Sequence, residues 1–202
     1  MKTTINFITV FFLCSVILSF APVENLPIGS ALPMPTTKMM TTSGKQTSIK
    51  QEALANGVLV MFSCNTCPYV IKNQERTIAT ISAARRMNIG SIIINSNAGL
   101  RSSEDSYKAM QAYAKAQNYK TAYAVDENNL VADAFGATRT PECFLFDKDL
   151  KLVYHGAIDD NPTNAAAVSR KHLLVAMTEL YAAKPITVTE SRSVGCGIKR
   201  NK

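Results

Sequence analysis

The sequence predicts an α/β fold in which a mixed central sheet is flanked by helices on both faces. Three observations predict it. Short apolar runs at 58–62 and 91–95 have the character of strands buried on both sides. Segments with helical periodicity separate the runs, an alternation expected of strands that lie parallel. Near the end, apolar segments at 142–146 and 150–155 are joined by Asp147-Lys148-Asp149, which reads as a hairpin and makes the sheet mixed.

Residues 1–21 begin with Met1-Lys2 and continue as an uncharged apolar stretch from Phe7 to Ala21. It is too short for a comfortable membrane span. Ser19-Phe20-Ala21 has the small-x-small pattern of a cleavage site, so 1–21 reads as a secretory signal peptide and the chain as exported, periplasmic or extracellular. Pro22 is a poor residue after a cut, which keeps a shifted cut or an uncleaved membrane anchor open. Cys14 sits inside the apolar run. Residues 22–47 are rich in Pro, Thr, Ser and Met and predict an irregular lead-in, with a short strand near 38–42. A folded domain is expected over 48–185 and a C-terminal tail over 186–202.

Within that domain, Ser48 caps a short helix over 49–54. The run 58–62 follows as the central strand. Residues 69–87 carry Val70, Ile71, Ile78, Ile81 and Ala84 among charged residues, which predicts one long amphipathic helix ended by Gly90. Residues 91–95 form the next strand. Ser102 or Ser103 is expected to cap a helix running to about 117. Residues 121–125 read as a strand, and 127–135 as a short helix stopped by Gly136. After the hairpin, 164–183 predicts the last helix, with Pro185 just beyond it.

The chemistry concentrates where 58–62 meets the long helix, at Cys64-Asn65-Thr66-Cys67-Pro68. Pro68 suits a first helical turn, where a missing N–H costs nothing. Two sulfurs three residues apart can meet across one turn. The first lies at the positive end of the helix dipole, which favours a thiolate. Such placement lowers a cysteine pKa from about 8.5 to roughly 3.5–7.5, and the thiolate is the nucleophile. The reading requires sulfurs that a partner can reach. A purely structural disulfide would gain little from so short a loop. Zinc would want a second ligand pair, and no second Cys-x-x-Cys or His-x-His follows.

A Cys-x-x-Cys between strand and helix, then Thr140-Pro141 before a strand, a hairpin and a final helix resemble the thioredoxin superfamily. More closely, 62–70, 140–147, 156–161 and the Gly195-Cys196-Gly197 region resemble an exported, peroxiredoxin-like branch of redoxin proteins, from about Leu26 to the C-terminus. The resemblance implies a thioredoxin-like fold. It implies catalysis by Cys64 as nucleophile and Cys67 as resolving thiol, and a cis Thr140-Pro141 that faces the disulfide and binds substrate backbone. It implies dithiol–disulfide exchange through a mixed disulfide, with protein disulfides or dithiols and an upstream redox donor as partners and no cofactor. Thioredoxins often bury an Asp on the strand before the motif, but 58–62 carries no charge. Glu75 and Glu142 are the candidate proton acceptors in its place.

Other readings stay open. Peroxiredoxins place a Pro after the peroxidatic Cys, as in Cys67-Pro68, but Cys64 occupies their Thr position and Arg139 is not clearly equivalent to their Arg. Paired thiolates can also hold Cu(I), often with a histidine, and the two histidines are His155 and His172. No metal is expected at the site. Cys143 reads as a small buried side chain, and Cys196, in a flexible tail, as a second resolving thiol or a partner for Cys143. The formal net charge of +7 falls by one on loss of Lys2 and is partly due to Lys199, Arg200 and Lys202. Without a basic stripe interleaved with aromatics, and without tryptophan, it reads as a solvated surface and not a nucleic-acid site.

Overall fold

The strand-like runs read from residue 58 onward form one five-stranded sheet. A computed structural model describes residues 26–201; the expected signal peptide and Cys14 lie outside the described residues. The elements are, in order, β1 (Met39–Met40), β2 (Gln46–Thr47), α1 (Ile49–Glu52), β3 (Val58–Phe62), α2 (Pro68–Lys72), α3 (Gln74–Arg86), β4 (Gly90–Asn95), α4 (Tyr107–Ala116), β5 (Ala122–Val125), α5 (Leu130–Phe135), β6 (Arg139–Thr140), β7 (Glu142–Phe146), β8 (Leu152–Gly156), α6 (His172–Tyr181) and β9 (Cys196–Gly197). The main sheet has the order β5-β4-β3-β7-β8. Strands β3, β4 and β5 are parallel, and β7 runs antiparallel to both β3 and β8. Among the described residues no helix is long and apolar enough to cross a membrane.

The continuous apolar character of β3 follows from its central position. Val58, Val60 and Phe62 point to one face, where they meet Ile49 of α1 and Val131 and Phe135 of α5. Leu59 and Met61 point to the other, among Ala84 of α3 and Leu173 and Met177 of α6. A further cluster around Ile93, Met110 and Tyr123 lies under α4. On the first face, Phe135 packs edge-on against Phe62, Phe144 and Phe146. Such pairs add about 0.5–1.5 kcal/mol each beyond the area they bury.

Several local expectations are corrected. The helix expected over 69–87 is two helices, broken at Asn73. The buried Asn73 side-chain amide donates to Tyr69 O at 2.7 Å, a carbonyl it shares with its own backbone N–H, and to Pro162 O at 2.9 Å, which ties the break to a distant loop. Val70, Ile81 and Ala84 face inward as expected, but Ile71 and Ile78 are 55% and 40% exposed. Helix α4 starts later than Ser102 or Ser103 allows, because Ser106 is the cap; its hydroxyl accepts from Ala109 N at 3.3 Å. The helix expected from residue 164 makes only a short 3-10 turn there and resumes at His172. Between them the Asp160 carboxylate captures the amides of Ser169 and Arg170. Gly136 ends α5 as expected, with φ at 67°.

The segments at the two ends also pack on the sheet. The lead-in pairs with the β8 side through Gly29 N to Leu152 O and Leu32 N to Leu150 O. The C-terminal segment is not a loose tail. Ser191 N donates to His155 O, β9 pairs antiparallel with β6, Ile198 enters the core, and Lys199 N donates to Asn97 Oδ1.

Candidate active site

Cys64 lies two residues beyond the end of β3, and Cys67 is the N-cap of α2, directly before Pro68. The cis Thr140-Pro141 peptide stands opposite, between β6 and β7. Thr140 touches both sulfurs: its hydroxyl is 3.4 Å from Cys64 Sγ, and its carbonyl oxygen is 3.3 Å from Cys67 Sγ and can accept from it only while Cys67 is protonated. The third sulfur comes from β9. Cys196 is Thr140's register partner, and its Sγ is 2.6 Å from Cys67 Sγ. Gly195 lies so close to the Thr140 carbonyl that a Cβ there would collide with it.

The expectation of sulfurs open to a partner is not met. Cys64 and Cys67 are 2% and 4% exposed, whereas Cys196 is half-buried. The expected location of the thiolate also changes. The hydrogen bond from the Cys64 thiol, backed by the Cys196 thiol and by the backbone amides of Val70 in α2 and of Cys196, drives Cys67 down to about 4 against the effect of burial. The same Cys64–Cys67 hydrogen bond, then burial, holds the proton on Cys64 and pushes its pKa up. Burial, the hydrogen bond to Cys67 and its charge push Cys196 up to about 11. Of the two thiols, Cys67 is the one whose ionisation this arrangement favours.

A buried polar network supports the motif from behind. Asp105, fully buried, accepts from Asn65 N at 3.0 Å, Asn95 Nδ2 at 2.7 Å and Asn97 Nδ2 at 2.8 Å. The Asn65 side chain donates to Glu104 O and accepts from Tyr123 OH, so every polar atom of the residue after Cys64 except its own carbonyl is engaged here. Asp105 is the buried acid behind the motif, and its charge adds to the rise at Cys64. Neither proposed acceptor does this. Glu75 is exposed on α3. Glu142 is buried, but its oxygens accept from Thr138 N and Arg139 N and contact His155 Nε2 at 2.9 Å, so it clamps the turn before β7.

The remaining candidates fall elsewhere. Cys143 is fully buried between Leu59, Met61 and Leu145, in a different cluster from the three site sulfurs, so it is not the partner of Cys196. Burial pushes its thiol pKa up. Arg139 is exposed and donates to Gly195 O. His155 stacks on Phe144, and His172 opens α6. Among the described residues, no three His, Cys, Asp or Glu side chains are grouped to hold a metal ion.

The redoxin family model matches residues 27–170, which include Cys64, Cys67, Thr140 and Pro141. The chain belongs to the redoxin family. This redoxin is similar to an uncharacterized conserved protein from Geobacillus kaustophilus, with 30% identity, a TM-score of 0.80 and coverage of 87% of this chain and 93% of that one. A hypothetical protein from Sinorhizobium meliloti 1021 is 28% identical, with a TM-score of 0.80 and coverage of 88% and 97%. A putative protein disulfide isomerase from Bacteroides thetaiotaomicron shares the fold, with 17% identity, a TM-score of 0.57 and coverage of 78% and 91%. No curated protein matches. The fold of this redoxin is thioredoxin-like, and its function is thiol redox chemistry.

Proposed function

We propose that this redoxin is a thiol–disulfide oxidoreductase of exported proteins, cycling Cys64 and Cys67 between dithiol and disulfide. The observation that carries the reading is the position of Thr140, in contact with both sulfurs of the strand–helix junction. The charge on Cys67 favours an order opposite to the one read from sequence: Cys67 attacks, and Cys64 resolves the mixed disulfide. The two electrons pass to the target, or come from it, according to the relative potentials. Export rests on the sequence of residues 1–21 alone.

A second reading, thiol peroxidase, is favoured by the same low-pKa Cys67 at a helix N-cap. Against it, the Arg139 guanidinium reaches Gly195 O, and the half-buried Arg101 is spent on the backbone carbonyls of Asp105, Asn95 and Asp126. Neither is bonded to a sulfur that would hold a peroxide. Insulin reduction with a thiol donor, run beside peroxide consumption, separates the two. Exchange predicts catalysed insulin reduction that Cys67→Ser abolishes. Rapid peroxide turnover with insulin left intact would replace exchange by peroxidase activity.

A further inference from the structure

We propose that Cys196 is the outward-facing third thiol of the redox centre and relays electrons between the buried Cys64–Cys67 pair and an external disulfide. The inference rests on the exchange reading and adds a route to it.

That route is needed because the pair is covered. Direct access to Cys64 and Cys67 is narrow, since they are 2% and 4% exposed. The backbone edge of Thr140 is already taken by β9. Nor is β9 a loose flap. Downstream of Cys196, Ile198 N donates to Thr138 O, the Ile198 side chain is in the core, Gly99 N donates to Lys199 O, and Arg200 pairs with Asp133. Upstream, the Ser191 hydroxyl accepts from Ala157 N and bonds Tyr154 OH. The strand is fixed on both sides of its cysteine. Cys196 is the one site sulfur that combines partial exposure with contact: its Sγ is 2.6 Å from Cys67, well inside non-bonded sulfur contact and near the disulfide bond length of about 2.05 Å. It also lies outside the 27–170 segment that the family model matches, so the relay would be an addition to the redoxin core.

The steps balance as follows. Cys196 gives up its proton as it attacks an external disulfide RS–SR, forming Cys196–S–S–R, and the proton leaves with the released group as RSH. The Cys67 thiolate attacks the Cys196 sulfur, forming the Cys67–Cys196 disulfide and releasing the second RS⁻. Cys64, losing its proton, attacks the Cys67 sulfur, forming the Cys64–Cys67 disulfide and returning Cys196 as a thiol. Two electrons have moved from the Cys64–Cys67 pair to RS–SR; one product leaves as RSH with the proton first lost by Cys196, the other leaves as RS⁻ with the charge first held by Cys67, and the Cys64 proton restores the Cys196 thiol. An external dithiol drives the same steps backwards.

The test oxidises the reduced, purified protein with oxidised glutathione, a probe too large and polar to reach the buried pair, and maps disulfides by mass spectrometry. In Cys67→Ser, the glutathione adduct is expected on Cys196. In Cys64→Ser, oxidation is expected to stop at Cys67–Cys196. In Cys196→Ser, Cys64–Cys67 formation is expected to slow by about tenfold or more. A smaller effect in Cys196→Ser, or an adduct on Cys64 in Cys67→Ser, overturns the relay while leaving exchange intact. If the wild-type protein neither forms Cys64–Cys67 nor reduces insulin, exchange fails and the relay fails with it.

Discussion

The shared proton at Cys67 makes a prediction about folding stability. An unfolded cysteine near its reference value of 9.0 is protonated at neutral pH, whereas in the folded protein Cys67 keeps its charge down to about 4. Between those values the unfolded state binds one more proton, so stability rises with pH across this window and is lost as pH falls through the folded value. The slope from this one group is about 1.4 kcal/mol per pH unit, or about 4 kcal/mol between roughly pH 5 and pH 8. Cys64 and Cys196, both pushed up, act only above the unfolded cysteine value and lower stability there. Urea unfolding of the reduced protein and of Cys67→Ser, at both pH values, isolates the group. The stability gap should shift by about 4 kcal/mol in favour of wild type at the higher pH. Cys64→Ala, which removes the main hydrogen-bond donor, should shrink that shift. A gap that stays constant within about 1 kcal/mol would show that Cys67 is not the charged member.

Two further outcomes follow from the supports of the site. Asp105→Ala strands the N–H groups of Asn65, Asn95 and Asn97, each worth about 1 kcal/mol or more when buried and unpaired, so urea unfolding should show a loss of about 3 kcal/mol; a loss below about 1 kcal/mol would refute the account of the network. Gly195→Ala forces a methyl into the Thr140 carbonyl and should loosen β9, raising amide exchange at Cys196 and Ile198 by about tenfold or more; unchanged exchange would mean that the backbone absorbs the clash.

Strands were the legible part of this sequence. The runs that became β3, β4 and β7 are apolar on both faces because both faces are covered, and that leaves a local mark. The junction holding Cys64, Cys67 and Pro68 was local too. What escaped depended on distant partners. Asn73 breaks the helix because Pro162, far along the chain, accepts its amide. Asp160 unwinds the start of the last helix by reaching amides nine and ten residues on. Asp105 stands in a polar stretch where nothing separates an inward acid from an outward one; the only hint was the cluster of Asn95, Asn97 and Asp105 just after an apolar strand. Cys196 was readable as a candidate resolving thiol, but its seat on a fixed strand against Cys67, 129 residues away, was not, because no spacing rule links them.

Strand β3 has a neighbour on either side and a covered face above and below. Its amides are therefore among the last that solvent would reach, and the motif at its end stands on the least yielding ground in the molecule. A centre mounted so rigidly cannot reshape itself around different visitors. Any tolerance for variety must come from the chain's closing stretch, whose composition could then change which molecules are served while the catalytic mount stays the same.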